Sequence, residues 1–331
     1  MTQITEAAQA LFDKTDERVR AGSITYRHGE NIRRGIRSWI DLRADGCRFG
    51  DLECDGISGV DIEERFLPQL NGSPKTVRSK LDSLKLLFDV ACRNGWAGHN
   101  PARGVKIETA RYGDAAEKKP LKRFDIGEVR RLIGAALAAE SIVGNVPWCE
   151  GLAVSTAAQT GLRFGEMAAL RWADIDFSKK RVTVHRSLRK VSAVIVAAGA
   201  PKTDAARRTV FLTPQLTNEL REWRLRSPAS DDGDTVFLTR NGRAHTNSDH
   251  WRKRVLRPAC AAVGIEPLRW HDLRHFYASV LLEMFGSDFN RITTLMGHKS
   301  INTTRELYGH WIDDPERDEN DASEFGKKLW G

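Results

Sequence analysis

Residues 160–166 read Thr-Gly-Leu-Arg-Phe-Gly-Glu, a string in which Gly161 lets the chain turn, Arg163 sits in the opening turn of a helix and Glu166 follows one turn on. Helix-start amides and a guanidinium together make an anion site. Taken alone, Arg163 also reads as a surface arginine and Glu166 as a surface acid. Downstream, Arg181-Val-Thr-Val-His185, Ser192-Ala-Val-Ile-Val-Ala197 and Arg208-Thr-Val-Phe-Leu212 read as short strands. Upstream, Asp125-Ile-Gly-Glu128 has the form of a capping box opening a helix through Val129, Leu132, Ile133 and Leu137. Helical patterns return after the last strand, so residues 123–312 are expected to form an α+β domain with a small antiparallel sheet.

Toward the N-terminus the pattern changes to helices alone. Ser73 can cap a helix whose first position suits Pro74, and Val77, Leu81, Leu84 and Phe88 recur at helical spacing until Gly95 offers a stop. Lys75, Arg78 and Lys85 fall away from that apolar stripe. The stretch from Tyr26 to Leu42 is built the same way, with Arg33, Arg34 and Arg37 opposite Ile32, Ile36, Trp39 and Ile40. Each basic face is either a solvated surface or one that meets a polyanion. The expected organisation is a tail over 1–15, a mainly α domain over 16–107 and a linker over 108–122, which lacks apolar periodicity. The α+β domain then occupies 123–312, and an acidic tail over 313–331 offers Phe325, Leu329 and Trp330 for burial.

Composition narrows the function. With 331 residues, 40% hydrophobic and 29% charged, the chain can bury two cores. Fifty-two Lys and Arg against 44 Asp and Glu give a net charge of +8. Residues 313–324 hold seven acids and only Arg317, so the remainder carries about +14. Such a body seeks polyanions, nucleic acid first among them. No window reaches the roughly 18 uncharged apolar residues that a membrane span needs, so neither secretion nor insertion is expected. The five cysteines, Cys47, Cys54, Cys92, Cys149 and Cys260, are scattered without a C-x-x-C pair. A disulfide framework or zinc knuckle is therefore unsupported, no metal ligands are expected, and a reducing cytoplasm fits.

Four further strings carry groups suited to chemistry. Pro201-Lys202-Thr203 puts a lysine in the turn between two strands. In His271-Asp-Leu-Arg-His275, His271 and Arg274 stand three apart on one helical face, while His275 reads as packed or exposed. Met296-Gly-His-Lys-Ser300 sets His298 after a glycine that permits close backbone approach. Tyr308 lies in Glu-Leu-Tyr-Gly-His310, where a lone tyrosine reads equally as core.

In chain order Arg163, Lys202, His271 with Arg274, His298 and Tyr308 resemble the signature of the tyrosine recombinases, also called the phage integrase family. TGLRFGE, HDLRH, GHKSINTT and the last tyrosine look like that family's boxes. The resemblance covers 124–312, and residues 16–106 are similar to the family's helical core-binding domain, including the Asn100-Pro101 exit. His298 and Tyr308 are ten residues apart where many members have nine, a length that strings ending in Tyr-Gly-His accommodate.

The resemblance implies a C-shaped clamp around double-stranded DNA. In it Arg163 and Arg274 bind the scissile phosphate, and Tyr308 attacks phosphorus to give a 3′-phosphotyrosyl link. Lys202 protonates the departing 5′-oxygen, His271 acts as base or orienting group, and His298 donates to a phosphate oxygen. Glu166 would support Arg163. Two arginines on the phosphate stand where other phosphoryl-transfer sites use a metal, and no cofactor is expected. Lys75, Arg78, Lys85, Arg33, Arg34 and Arg37 would contact DNA, as would Arg252, Lys253, Arg254 and Arg257 on a later helix. A homo-tetramer working through a Holliday junction is implied, with a DNA-bending factor or excisionase as possible company. The leading expectation is the integrase of a phage or other mobile element. Alternatives are a cellular resolvase of chromosome dimers, a type IB topoisomerase, and a DNA-binding regulator without catalysis.

Overall fold

The computed structural model describes residues 2–108, 124–138, 148–190, 196–199, 207–238, 248–286 and 288–308. They fall into two compact units whose boundary lies in the segment 109–123, outside the described residues.

In the N-terminal unit, helices α1 (Ile4–Arg20), α2 (Tyr26–Ile40) and α3 (Pro74–Arg93) pack on one another beside a two-residue hairpin, β1 (Arg43–Ala44) against β2 (Cys47–Arg48). The cap of α3 is the one the sequence calls for, Ser73 accepting from the Thr76 amide with Pro74 in the first turn. Thr25 caps α2 in the same way. Ile36, Trp39, Phe49, Phe66, Leu84 and Phe88 are fully enclosed, and each such side chain contributes about 1.5–3 kcal/mol on burial. Trp39 also donates its indole N–H to the Lys80 carbonyl, tying α2 to α3 at 3.0 Å.

Residues 4–15, expected as part of a tail, are helical instead. Ile4, Ala7, Ala8 and Leu11 recur at helical spacing and are buried in the core of this unit, so the helix starts twelve residues earlier than the expected domain boundary at 16. Arg33 departs from expectation too. Its guanidinium is paired with Asp16 and Glu30, and only 11% of the side chain is exposed. Lys75, Arg78, Arg34 and Arg37 are exposed, and Lys85 is half-buried and paired with Asp82 at 3.3 Å.

The second unit is α+β. Helix α4 (Ile126–Leu137) is capped by Asp125, and α5 (Trp148–Thr160) and the short α6 (Phe164–Ala168) follow. Strands β3 (Ile175–Asp176), β4 (Arg181–Val184) and β7 (Arg208–Phe211) form an antiparallel sheet in the order β3-β4-β7, with Val182 opposite both Ile175 and Val210. Between β4 and β7 the chain makes a second pairing, β5 (Ser187–Lys190) with β6 (Val196–Gly199). The strand expected over Ser192–Ala197 is thus observed at Val196–Gly199, and residues 191–195 lie outside the described residues.

Helix α7 (Pro214–Arg226) is followed by α8 (Ser248–Trp251), which runs through a π-turn at Arg252–Leu256 into α9 (Arg257–Ala262). Last come α10 (Trp270–Phe285), α11 (Phe289–Met296) and α12 (Ile301–Tyr308). Helix α10 is central: ten of its residues, Arg274 and His275 among them, are buried. Trp251 and Trp270 meet at 5.0 Å between ring centres, and Phe164 packs its edge on both. None of the described helices is long and apolar enough to cross a membrane.

Candidate active site

Gly161 ends α5 with φ of +61°, the left-handed conformation that favours glycine, and a Cβ there would collide with the Tyr277 ring. The turn delivers Arg163 to the start of α6. There the Arg163 amide donates to Glu166 Oε2 at 2.9 Å and its guanidinium to Oε1 at 2.8 Å. Glu166 is thus a carboxylate at a helix N-terminus that also orients the arginine before it.

The C-terminus of α11 gathers three arginines. Leu295, Met296 and Gly297 each offer a carbonyl oxygen that α11 itself does not use, and each oxygen accepts from a different guanidinium. Arg208 Nε donates to Leu295 at 2.8 Å, Arg274 donates to Met296, and Arg163 donates to Gly297 at 2.9 Å. Cations at the negative end of a helix are favourably placed. Arg274 also donates to the Gly161 carbonyl at 2.6 Å, joining the two glycine turns. Gly297 has φ of +62°, and a Cβ on it would come within 2.9 Å of the Arg208 guanidinium.

Glu166 pairs with two of these three arginines. Besides Arg163, Glu166 accepts two bonds from Arg208, at 2.9 and 3.2 Å, and is almost wholly buried. Burial pushes its pKa up, but Arg208 and Arg163 outweigh that and hold it at about 2, so it is ionised at neutral pH. Burial and the like charges of Arg163 and Arg208 push Arg274 down from its ordinary value. An anion arriving beside Arg163 and Arg274 relieves that repulsion.

Three histidines and a tyrosine stand beside this frame. The His298 ring lies parallel to that of Tyr308 at 6.4 Å, and its Nδ1 is hydrogen-bonded to Thr304 at 2.9 Å, which in turn meets Thr293. The Tyr308 hydroxyl is 2.9 Å from His275 Nδ1, and His275 meets the exposed His271 edge-on at 4.8 Å. Burial holds the His298 pKa down at about 3, with Arg274 and Arg163 adding to the effect; His271, whose side chain is partly exposed, is lowered by desolvation of its packed part and then by His275, Arg274 and Arg163. Tyr308, 1% exposed, is pushed up to about 12 by burial although Arg274 and Arg163 pull the other way.

Of the residues expected from the sequence, Arg163, Glu166, His271, Arg274, His298 and Tyr308 come together here. Lys202 lies outside the described residues, as do Phe325, Leu329 and Trp330. Two members were missed. Arg208 was read only as the first residue of a strand, and its partner Glu166 lies 42 residues away, so no local signal marked it. His275 was read as packed or exposed, and no spacing in the sequence points it at Tyr308. On the helix from Ser248, Lys253 and Arg257 are exposed, whereas Arg252 is paired with Asp249 at 3.0 Å.

A helical unit, and an α+β unit in which Arg163, Arg274, His298 and Tyr308 meet in one place, define the class of the tyrosine-type site-specific DNA recombinases. The model of the phage integrase family matches residues 123–313, and the chain belongs to that family. A tyrosine recombinase XerC-like protein of Caldanaerobacter subterraneus subsp. tengcongensis is 28% identical over 77% of this chain and 68% of its own length. The ICEBs1 integrase of Bacillus subtilis is 26% identical over 74% of this chain and 64% of its own. The chain thus spans about two thirds of these relatives. Among solved structures, the Tn1549 transposon integrase in complex with a circular intermediate DNA has the same fold, with a TM-score of 0.71 at 20% identity over 97% of this chain and 99% of that one.

Proposed function

We propose that this protein cleaves and rejoins double-stranded DNA at a specific site as the integrase of a mobile element, through a 3′-phosphotyrosyl intermediate on Tyr308. The observation that carries the reading is the frame of Arg163 and Arg274 on the carbonyls of Gly297 and Met296, with Tyr308 and His298 beside it. Two guanidiniums with donors to spare suit the non-bridging oxygens of a phosphodiester, whose charge grows as the nucleophile adds. Tyr308 attacks, Lys202 protonates the 5′-oxygen that leaves, His298 donates to a phosphate oxygen and His271 assists as base or orienting group. The link conserves the energy of the broken bond, so rejoining needs no nucleotide.

The helical unit and the catalytic domain over 123–312 would both contact the duplex, Lys75, Arg78, Arg34, Arg37, Lys253 and Arg257 supplying cations for phosphates. Four copies on two sites would exchange strands in pairs through a Holliday junction, in the cytoplasm, with the segment 313–331 docking on a neighbour and a bending factor or excisionase setting direction. A mobile-element role is supported by the ICEBs1 and Tn1549 integrases among the similar proteins. Resolution of chromosome dimers is the second reading, supported by the XerC-like relative.

The test is covalent capture. The protein is incubated with fragmented source DNA in chelator, denatured in detergent, and the DNA ends attached to it are sequenced. One recurrent end with wild type and none with Tyr308→Phe is the expected result. Tight binding without any adduct, even on nicked substrates that block rejoining, would overturn the catalytic reading.

A further inference from the structure

The roles assigned above leave one member of the site unused. His275 follows Arg274 directly on α10, is buried, and has Nδ1 2.9 Å from the Tyr308 hydroxyl, the two rings meeting at 5.8 Å. The other histidine beside Tyr308 is placed differently, since the His298 ring runs parallel to the phenol with centres 6.4 Å apart and its Nδ1 is engaged by Thr304. His271 reaches the edge of His275.

We infer that His275 is a catalytic residue, the acceptor of the Tyr308 hydroxyl proton when the tyrosine attacks DNA, which leaves His271 the orienting role of the two stated above. The inference rests on the reading of Tyr308 as nucleophile. As the Tyr308 oxygen bonds to phosphorus, its proton passes to His275 Nδ1, the bond from phosphorus to the 5′-oxygen breaks, and that oxygen leaves as a hydroxyl with a proton from Lys202. On rejoining, the 5′-hydroxyl attacks, its proton returns to Lys202, and Tyr308 leaves with the proton held by His275. No other reactant enters.

The surroundings suit the task. For Nδ1 to accept, the ring carries its own proton on Nε2 and is neutral beforehand. Among the described residues, the charged and titratable groups around it are Asp272, Arg269, Arg274, His271 and Tyr308. Burial lowers the His275 pKa most, Asp272 opposes this, and Arg269 and Arg274 lower it further, so the free base is the form present at neutral pH. The phenol it faces is held protonated by burial, so an adjacent base has a proton to remove.

The experiment measures single-turnover cleavage of a nicked substrate by variants whose DNA affinity and Tm are also recorded. His275→Asn keeps an amide near the position of Nδ1 but cannot take a proton, and His275→Ala removes the group. Both are expected to cleave about 10²–10⁴-fold more slowly. Replacing Tyr308 by trifluorotyrosine, a far more acidic phenol, should shrink the His275→Asn loss at least about tenfold, because the proton is already off. Cleavage by His275→Asn at or above the wild-type rate would overturn the inference, since orientation or restraint would then be the whole role. A loss of equal size with both phenols would overturn it too. An adduct formed by Tyr308→Phe would instead sink the reading of Tyr308 itself.

Discussion

Arg208 and Glu166 form a two-point pair, Nη2 to Oε2 at 2.9 Å and Nη1 to Oε1 at 3.2 Å, with 1% and 3% of their side chains exposed. Removing one partner of such a pair strands a charge in the interior and costs about 3–5 kcal/mol. Because Glu166 keeps Arg163, Arg208→Met is expected to lower stability by at most about that amount in a urea titration. It should also cut DNA cleavage, because Glu166 loses the cation that helps hold it in place beside Arg163. Unchanged stability would show that the pair's burial gives no net support.

Gly297→Ala should damage the site locally. A non-glycine residue in the left-handed region costs about 1–2 kcal/mol. The added Cβ would also press on Arg208 at 2.9–3.2 Å. We expect a Tm drop of several degrees together with a larger loss in cleavage than in DNA affinity, read by melting and by gel shift on the same preparation.

Acid should destabilise the second unit in two stages. The buried His298 has a folded pKa near 3 against an ordinary 6.5, so the unfolded chain takes up its proton first and stability falls as pH drops from about 6.5. Glu166 is held at about 2 against 4.5, and its share, about 3 kcal/mol at neutral pH, is lost between those values. In urea titrations across pH, His298→Asn should shrink the first stage, to which His271 and His275 also contribute, and Glu166→Gln should flatten the second.

The basic residues of the helical unit should separate into two kinds. Arg33→Ala breaks its contacts with Asp16 and Glu30 and is expected to lower stability with little change in the salt dependence of DNA binding. Lys75→Ala and Arg78→Ala should leave stability within about 0.5 kcal/mol and reduce the slope of log K against log salt by about 1 each. Identical salt slopes for wild type and the Lys75 and Arg78 variants would remove them from the DNA surface.

The readable parts of the molecule were those with local grammar. Ser73-Pro74 and Asp125 announce helix starts, and the periodic apolar residues of α3 and α4 announce buried faces. The glycine-arginine and glycine-histidine turns read from sequence because each needs a residue type that few others replace. Residues 4–11 escaped because Ala7 and Ala8 count as weakly apolar on their own, although Ile4 and Leu11 complete the stripe. Arg33 looked like part of a basic face because Asp16, its partner from another helix, is seventeen residues away. Arg208 and His275 escaped for the same reason: one is defined by Glu166 and α11, the other by Tyr308, and tertiary contacts leave no period in a sequence.

The end of α11 holds its arginines by backbone oxygen, and every residue type supplies that atom. Substitution at 295 and 296 is thereby restrained by packing alone, while Gly297 is restrained by its conformation. As lineages diverge, the letters at the first two positions can drift without loosening the guanidiniums they support. Sites built this way stay alike for longer than their alignments suggest.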